Sequence, residues 1–220
     1  MSAHAQTPDP RRWWTLGAVC VATFMLLLDV TIVNVALPDI QKDLGSSFQD
    51  LQWVVDAYAL TLAAFLLTAG SLADRLGRRR IFVGGLALFT VASLLCGLSS
   101  APTPLNLARA LQGVGGAAMF ATSLALLAAA FTGRERGTAF GIWGATTGAS
   151  VAVGPLVGGV LVEHVSWQSI FFVNLPIGLA AIAVTLRMVK ESQSPDPDPI
   201  DWPGLVTFSL GLLALVFALV

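Results

Sequence analysis

The sequence predicts an all-α polytopic membrane protein. Three observations lead there. Hydrophobic residues make up 55% of the 220 positions and charged residues only 11%, too few to coat a soluble core of this size. The mean hydropathy is +0.78, and the apolar residues fall in runs close to the roughly 20 residues that cross a bilayer. Basic residues gather in a few of the connections between those runs, the pattern that orients membrane helices.

Taken in order, residues 1–12 are polar, carry two prolines and read as a cytoplasmic tail. Arg11 and Arg12 precede an apolar run that superficially resembles an export signal. That run continues past Asp29 to Leu37 without a small-residue cleavage site, so it reads as an uncleaved first span, 13–37. Pro38 and the polar stretch 39–43 are expected to end it. Residues 45–50 form a short connection to span 2, 51–73. A tight basic loop, 74–80, leads to span 3, 81–98. A turn at 99–104 leads to span 4, 105–130. The chain returns through Arg134 and Arg136 into span 5, 138–162. A polar turn, 163–168, leads to span 6, 170–189. The polar segment 190–201, rich in proline and aspartate, reads as a cytoplasmic linker. Span 7 begins at Trp202 and is still apolar at Val220. A chain that stops inside an apolar run is expected to be part of a longer one. The expected domains are therefore a six-helix bundle, 13–189, and the start of a seventh span, 202–220.

With the N-terminus inside, Arg11, Arg12, Arg75, Arg78, Arg79, Arg80, Arg134, Arg136, Arg187 and Lys190 all fall at or near the inner face. Only Lys42 falls in an outer loop. Spans 1 and 4 each carry an intramembrane charge, and spans 2 and 5 carry glycine. This is a coarse version of the 3+3 inverted repeat on which many transporters are built.

The residues able to carry chemistry are few. A carboxylate at Asp29, deep in span 1, costs roughly 2.5–3.5 kcal/mol on insertion scales. Such a group either loads and releases a proton or serves as a structural acceptor for a neighbouring helix. Thr31 and Asn34 add polar lining or tie helices together. Asp56, near the outer start of span 2, either rims an external vestibule or is merely solvated. Its neighbours Trp53 and Tyr58 read most simply as interfacial aromatics, with Tyr58 also a candidate along a substrate path. Arg109, about one turn into span 4, either snorkels to the outer headgroups or faces inward and tunes Asp29 or Asp56. Gln112 extends its polar track by one turn. Gly144, Gly148, Gly154, Gly158 and Gly159 of span 5 leave room for close helix contact, and Pro155 removes one backbone donor. In the inner loop, Asp74 can pair with a basic side chain, and Gly77 permits a sharp reversal.

No catalytic set, metal spacing or nucleotide-binding loop stands out. His4 and His164 have no triad companions, and Cys20 and Cys96 read as small buried hydrophobes. The expected energy source is an ion gradient, with no cofactor and no nucleic-acid partner.

The segment Leu28-Asp29-Val30-Thr31-Ile32-Val33-Asn34-Val35-Ala36-Leu37-Pro38 resembles the first-span signature of the fourteen-span drug:proton antiporters of the major facilitator superfamily. The stretch from Gly70 to Arg80, with Asp74, Arg75, Gly77, Arg78 and Arg79, is similar to that superfamily's loop between spans 2 and 3. Arg109 with Gln112 and Gly113 resembles its span 4 motif. Gly154-Pro155 followed by Gly158-Gly159 resembles the antiporter motif of span 5. Two departures stand out: Ser150 replaces a frequent glycine, and Gln168 follows Trp167 where arginine is frequent. The resemblance implies the N-terminal six-helix bundle of the major facilitator fold plus a seventh, linker helix. It implies proton coupling through Asp29, Arg109 and Asp56, a substrate path past Asn34, Gln112 and Tyr58, and inner gating by the Gly70–Arg79 stretch. It further implies a monomeric protein of the bacterial cytoplasmic membrane that exchanges protons for hydrophobic or cationic drug-like compounds, completed by a missing C-terminal bundle. The alternative is export of one endogenous lipid, metabolite or antibiotic.

Overall fold

The computed structural model describes residues 10–194 and 201–219. His4, most of the expected tail and residues 195–200 of the expected linker lie outside them. The described residues form helices and no strands: α1 (Arg12–Leu44), α2 (Phe48–Leu76), α3 (Arg78–Gly97), α4 (Pro102–Ala130), α5 (Gly133–His164), α6 (Ser169–Phe172), α7 (Asn174–Met188) and α8 (Trp202–Leu219). By length and apolarity, α1 to α5 and the joined segment Ser169–Met188 are six candidate membrane spans. The chain is thus a multi-pass membrane protein.

Local chemistry sets the ends. α1 runs through Pro38 instead of stopping there. A proline costs a helix mainly one donor and a clash one turn back, and α1 absorbs this beside its exposed outer end. Gly45, at φ 61°, then closes the helix by donating its N–H to Gln41 O, a conformation that glycine adopts without strain. Ser47 and Asp50 cap α2 reciprocally: the Asp50 amide donates to Ser47 Oγ at 3.1 Å, and the Ser47 amide donates to Asp50 Oδ2 at 2.9 Å. α4 opens on Pro102, where a missing N–H has no helical partner to lose.

Two expected elements change. The basic loop 74–80 is scarcely a loop. α2 continues to Leu76, α3 begins at Arg78, and Gly77 alone turns the chain at φ 109°. The sixth span is divided at Val173 into α6 and α7. Pro176 has no N–H to offer the Phe172 carbonyl four residues back, so the helix cannot bond through that point.

The bundle is built by pairs. α4 packs against both α2 and α3, α1 packs mainly against α5, and α7 fits between α1 and α3; α8 leans on α2. Glycines set the closest crossings. A Cβ at Gly115 would lie 2.6 Å from the Phe89 amide nitrogen, so α3 and α4 touch backbone to backbone. Two apolar clusters fill the interior. One gathers Leu26, Tyr58, Phe82, Phe89, Met119 and Phe131; the other gathers Ile32, Val54, Leu105, Trp167 and Phe171. Antiparallel connection brings the start of α1, the α2–α3 turn, the α4–α5 turn and the end of α7 to one end of the bundle. The basic residues cluster there, and Arg12 forms a two-pronged pair with Glu135 (Nη2 to Oε1 2.9 Å) that joins α1 to α5.

Candidate functional site

Between the two apolar clusters lies a set of polar side chains that is sealed from solvent. Asp29 on α1, Arg109 and Gln112 on α4, Ser93 on α3 and Asn174 at the head of α7 are each at most 1% exposed. Arg109 Nη1 donates to Asp29 Oδ2 and, at 2.7 Å, to Gln112 Oε1. Its Nε donates to the Val54 carbonyl at 2.9 Å. Its guanidinium lies 4.3 Å from the Tyr58 ring centroid, a cation–π contact that gains strength when desolvated. The second carboxylate oxygen, Asp29 Oδ1, accepts Gln112 Nε2 at 2.9 Å and Asn174 Nδ2 at 3.3 Å. Both amides also donate to Ser93 Oγ, at 2.8 and 3.3 Å.

The sequence accounts for this placement. Arg109 and Gln112 are three residues apart and share one face of α4. Gly113, next on the helix, brings α4 against α2: a Cβ there would overlap Thr61 Oγ1 and the Tyr58 carbonyl and lie 3.1 Å from the Leu62 nitrogen. Burying one charge alone is prohibitive, and a pair persists only when the remaining donors and acceptors are satisfied. Here Val54 O, Gln112, Asn174 and Ser93 satisfy them.

Several expected site residues lie elsewhere. Asp56 does not reach Arg109. It lines a cavity of ≈ 180 Å³ with Ala59, Leu60, Ala63 and Leu212 of α8. Asn34 is exposed, and its amide donates to the Val30 carbonyl of its own helix at 2.9 Å, apart from the cluster. Tyr58 is 2% exposed, so it is neither an interfacial aromatic nor part of an open path. It is the platform under Arg109. Gln112 is likewise enclosed. Ser93 and Asn174 were not foreseen. Asn174 had one signal, an amide set two residues before a proline in an apolar run; Ser93 had none.

The antiporter-like glycines divide in two. Gly154 and Gly158 are buried against Thr31, Ile32 and Val35, and a Cβ at Gly158 would lie 2.9 Å from Ile32 Cγ1. Gly144, Gly148 and Gly159 have nothing within 4 Å, and Pro155 is exposed on the far side of an unbroken α5.

At the basic end, Asp74 pairs with Arg78 one turn away (2.8 Å) and not with a distant element. The long-range anion is Glu191, in the expected linker. Its Oε1 accepts the Arg79 amide at 2.9 Å, and its Oε2 lies 3.8 Å from Nε of both Arg79 and Arg80. The chain beyond α7 is stitched to the turn by the Arg78 amide donating to Ser192 O at 2.9 Å and the Ser194 amide donating to Asp74 O at 3.1 Å. Gly77 is required by this packing as well as by its φ, since a Cβ there would meet the Glu191 carboxyl carbon at 2.7 Å. Gly70 lies within α2 with open space beside it, and Arg75 is exposed.

A family model described as Major Facilitator Superfamily matches residues 19–220. The chain belongs to the major facilitator superfamily. Among relatives in this superfamily, the puromycin resistance protein of Streptomyces alboniger is 44% identical over 218 residues, covering 99% of this chain and 43% of its own length. A multidrug resistance protein of Mycobacterium tuberculosis is 44% identical over 94% of this chain and 38% of its own. The methylenomycin A resistance protein of Bacillus subtilis is 43% identical over 92% of this chain and 43% of its own. The chain therefore spans well under half the length of these superfamily relatives. A solved bacterial homologue of the human lysosomal transporter Spinster, in an inward-facing and unoccupied conformation, matches 90% of this chain and 47% of its own with a TM-score of 0.66 and 21% identity. That likeness supports the shared major facilitator fold.

Proposed function

We propose that this six-helix bundle forms one half of a proton-coupled exporter. The whole carrier moves hydrophobic or cationic drug-like compounds out across the bacterial cytoplasmic membrane. The observation that carries the reading is the Asp29–Arg109 pair, sealed within the spans and held by Gln112 of α4 and Asn174 of α7 as well. Ionisable groups at that depth are costly and are characteristic of proton and ion pathways. The relatives named for drug and antibiotic resistance support the direction of transport. Their greater length supports a second bundle supplied by the same polypeptide. The clustering of basic residues at one end supports a cytoplasmic N-terminus.

In this reading, a proton arriving from outside neutralises Asp29. That weakens its hold on Arg109 and frees the bundle to rearrange and release substrate. The carrier turns inward, loses the proton and takes new cargo. Proton and substrate exclude one another, which produces exchange. The Glu191–Arg79 contacts at the inner end hold the α2–α3 turn in one of the two states.

A narrower cargo is the second reading. Relatives include a probable actinorhodin transporter and a tetracenomycin C resistance and export protein, each named for one compound. The test is transport by the full-length protein in liposomes with an imposed pH gradient. Gradient-driven movement of a cationic dye, abolished by Asp29→Asn, is expected. Equal dye fluxes in wild type and Asp29→Asn would overturn proton coupling through Asp29. Transport of single antibiotics without any dye flux would favour the narrower reading.

A further inference from the structure

The Asp29 cluster holds two carboxamides, and only one of them is locked. Gln112 has its orientation fixed from behind. Its Oε1 accepts Arg109 Nη1 at 2.7 Å and faces the Cys96 thiol at 3.7 Å, so its Nε2 must point to Asp29. Asn174 has no such restraint. It is 1% exposed, and its Nδ2 faces Asp29 Oδ1 and Ser93 Oγ at 3.3 Å each. Its Oδ1 is buried and has no hydrogen-bond partner among the described residues.

An orphaned buried carbonyl costs roughly 1–3 kcal/mol, and such a group in a native core calls for an explanation. The two atoms that face Nδ2 supply one. An ionised carboxylate only accepts, whereas a protonated one carries an O–H donor; a serine hydroxyl does either. If the amide turned about its Cβ–Cγ bond, the orphaned oxygen would face both Asp29 and Ser93. Reversal exchanges one unpaired atom for another. The rest of the pocket is therefore nearly indifferent, and the choice passes to the proton on Asp29.

We infer that Asn174 is a positioning residue that reads the protonation state of Asp29. Its amide donates to the ionised carboxylate, as in this structure, and reverses to accept from the protonated carboxyl. The inference rests on the proton-coupling reading above. The proton joins and leaves Asp29 alone, and no bond of Asn174 is made or broken. The other titratable groups around Asp29 are Arg109 on α4, Tyr58 on α2 and Cys96 on α3. The charged residues of α5 and α7 lie at their ends. The place of Asn174 gives reversal a consequence. It begins α7 directly after the break at Val173, and one turn on, Gly178 packs so closely on Thr90 of α3 that a Cβ would lie 3.2 Å from Thr90 Cβ. Turning the amide changes the bridge through Ser93 at a joint between two rigid segments.

The test is the pH profile of exchange by the full-length protein in liposomes, for wild type, Asn174→Leu and Asn174→Ser, with Asp29→Asn as control. Leucine keeps the bulk and removes both donor and acceptor. A midpoint displaced by about one pH unit or more is expected for Asn174→Leu. A folded Asn174→Leu protein whose profile overlays wild type overturns the inference. If that variant does not fold, infrared difference spectra between acid and alkaline samples decide, using wild type and Asn174→Ser. A side-chain amide band that moves together with the Asp29 carboxyl band, and is absent in Asn174→Ser, supports the reversal; its absence in wild type overturns it. A pH profile unaffected by Asp29→Asn removes the proton-coupling reading. A flat Asn174 result with exchange lost in Asp29→Asn removes only the role of Asn174.

Discussion

Neutralising one partner of the buried ion pair tests whether the cluster is a unit. The Arg109 and Asp29 side chains are 1% and 0% exposed, so neither is relieved by solvent. Asp29→Asn keeps the shape and leaves Arg109 without its counter-charge. Breaking a buried pair in this way costs about 3–5 kcal/mol. Arg109 keeps its bonds to Val54 O and Gln112 Oε1 and its seat on Tyr58, which places the expected loss near the lower limit, about 3 kcal/mol. At about 1.4 kcal/mol per decade, that is more than a hundredfold in the folding equilibrium. Arg109→Gln leaves a carboxylate still held by Gln112 and Asn174, and its expected cost is also near the lower limit, about 3 kcal/mol. The double variant removes both charges together. Its cost should fall short of the sum of the singles by about 2 kcal/mol, a coupling well within the range for residues in contact. The assay is denaturant unfolding of the purified full-length protein in detergent, followed by tryptophan fluorescence. Costs that add to within about 0.5 kcal/mol would refute the claim that the two charges stabilise one another.

Two further outcomes follow from the packing. Gly113→Ala should destabilise by about 1–3 kcal/mol because the methyl meets the immovable Tyr58 carbonyl, whereas Gly144→Ala, which meets nothing within 4 Å, should be neutral or gain up to about 1 kcal/mol of helix propensity; the same unfolding assay measures both. Glu191→Gln should expose residues 190–194 to severalfold faster limited proteolysis while costing at most about 1 kcal/mol of global stability, since its ion pairs are long and part-solvated. A cleavage rate equal to wild type would show that backbone bonds alone hold this segment to the turn.

How much of this was legible beforehand depended on the range of each interaction. The spans were readable because apolar runs and basic clusters are local properties of sequence. Arg109 was readable only as a choice between snorkelling to the headgroups and turning inward to an acid, since an arginine cannot remain alone in hydrocarbon. The choice of Asp29 over Asp56 was not readable, because it depends on which face of α2 turns towards α4. Gly113 and Thr61 set that face across a gap of some fifty residues. Ser93 and Asn174 were hidden for the same reason. A serine or asparagine in an apolar run says nothing of its partner until the helices cross. The error at 74–80 had a different origin. A cluster of charges reads as solvated loop, yet helices that project beyond a membrane carry such clusters readily, and one glycine at positive φ suffices for the turn.

The way the cluster is assembled explains why a single proton could matter to the whole bundle. α1, α3, α4 and α7 each contribute a side chain to it, and α2 contributes a backbone carbonyl and the ring beneath the guanidinium. α4 is also tied to α2 and α3 directly, by Arg109 Nε to Val54 O and Gln112 Nε2 to Ser93 Oγ. Asp29 takes bonds from α4 and α7, and both of those amides also hold Ser93 of α3. Removing the charge from one carboxylate therefore weakens the contacts of α1 with both α4 and α7, and bears on α3 through the two amides that share Ser93. α5 meets this mainly through α1, on which Gly154 and Gly158 pack closely, with a smaller contact to α4 at Phe120 and Trp143. A shift that begins at Asp29 thus reaches α5 mainly through this seam, while a face about a quarter-turn round the helix is open along Gly144 and Gly148.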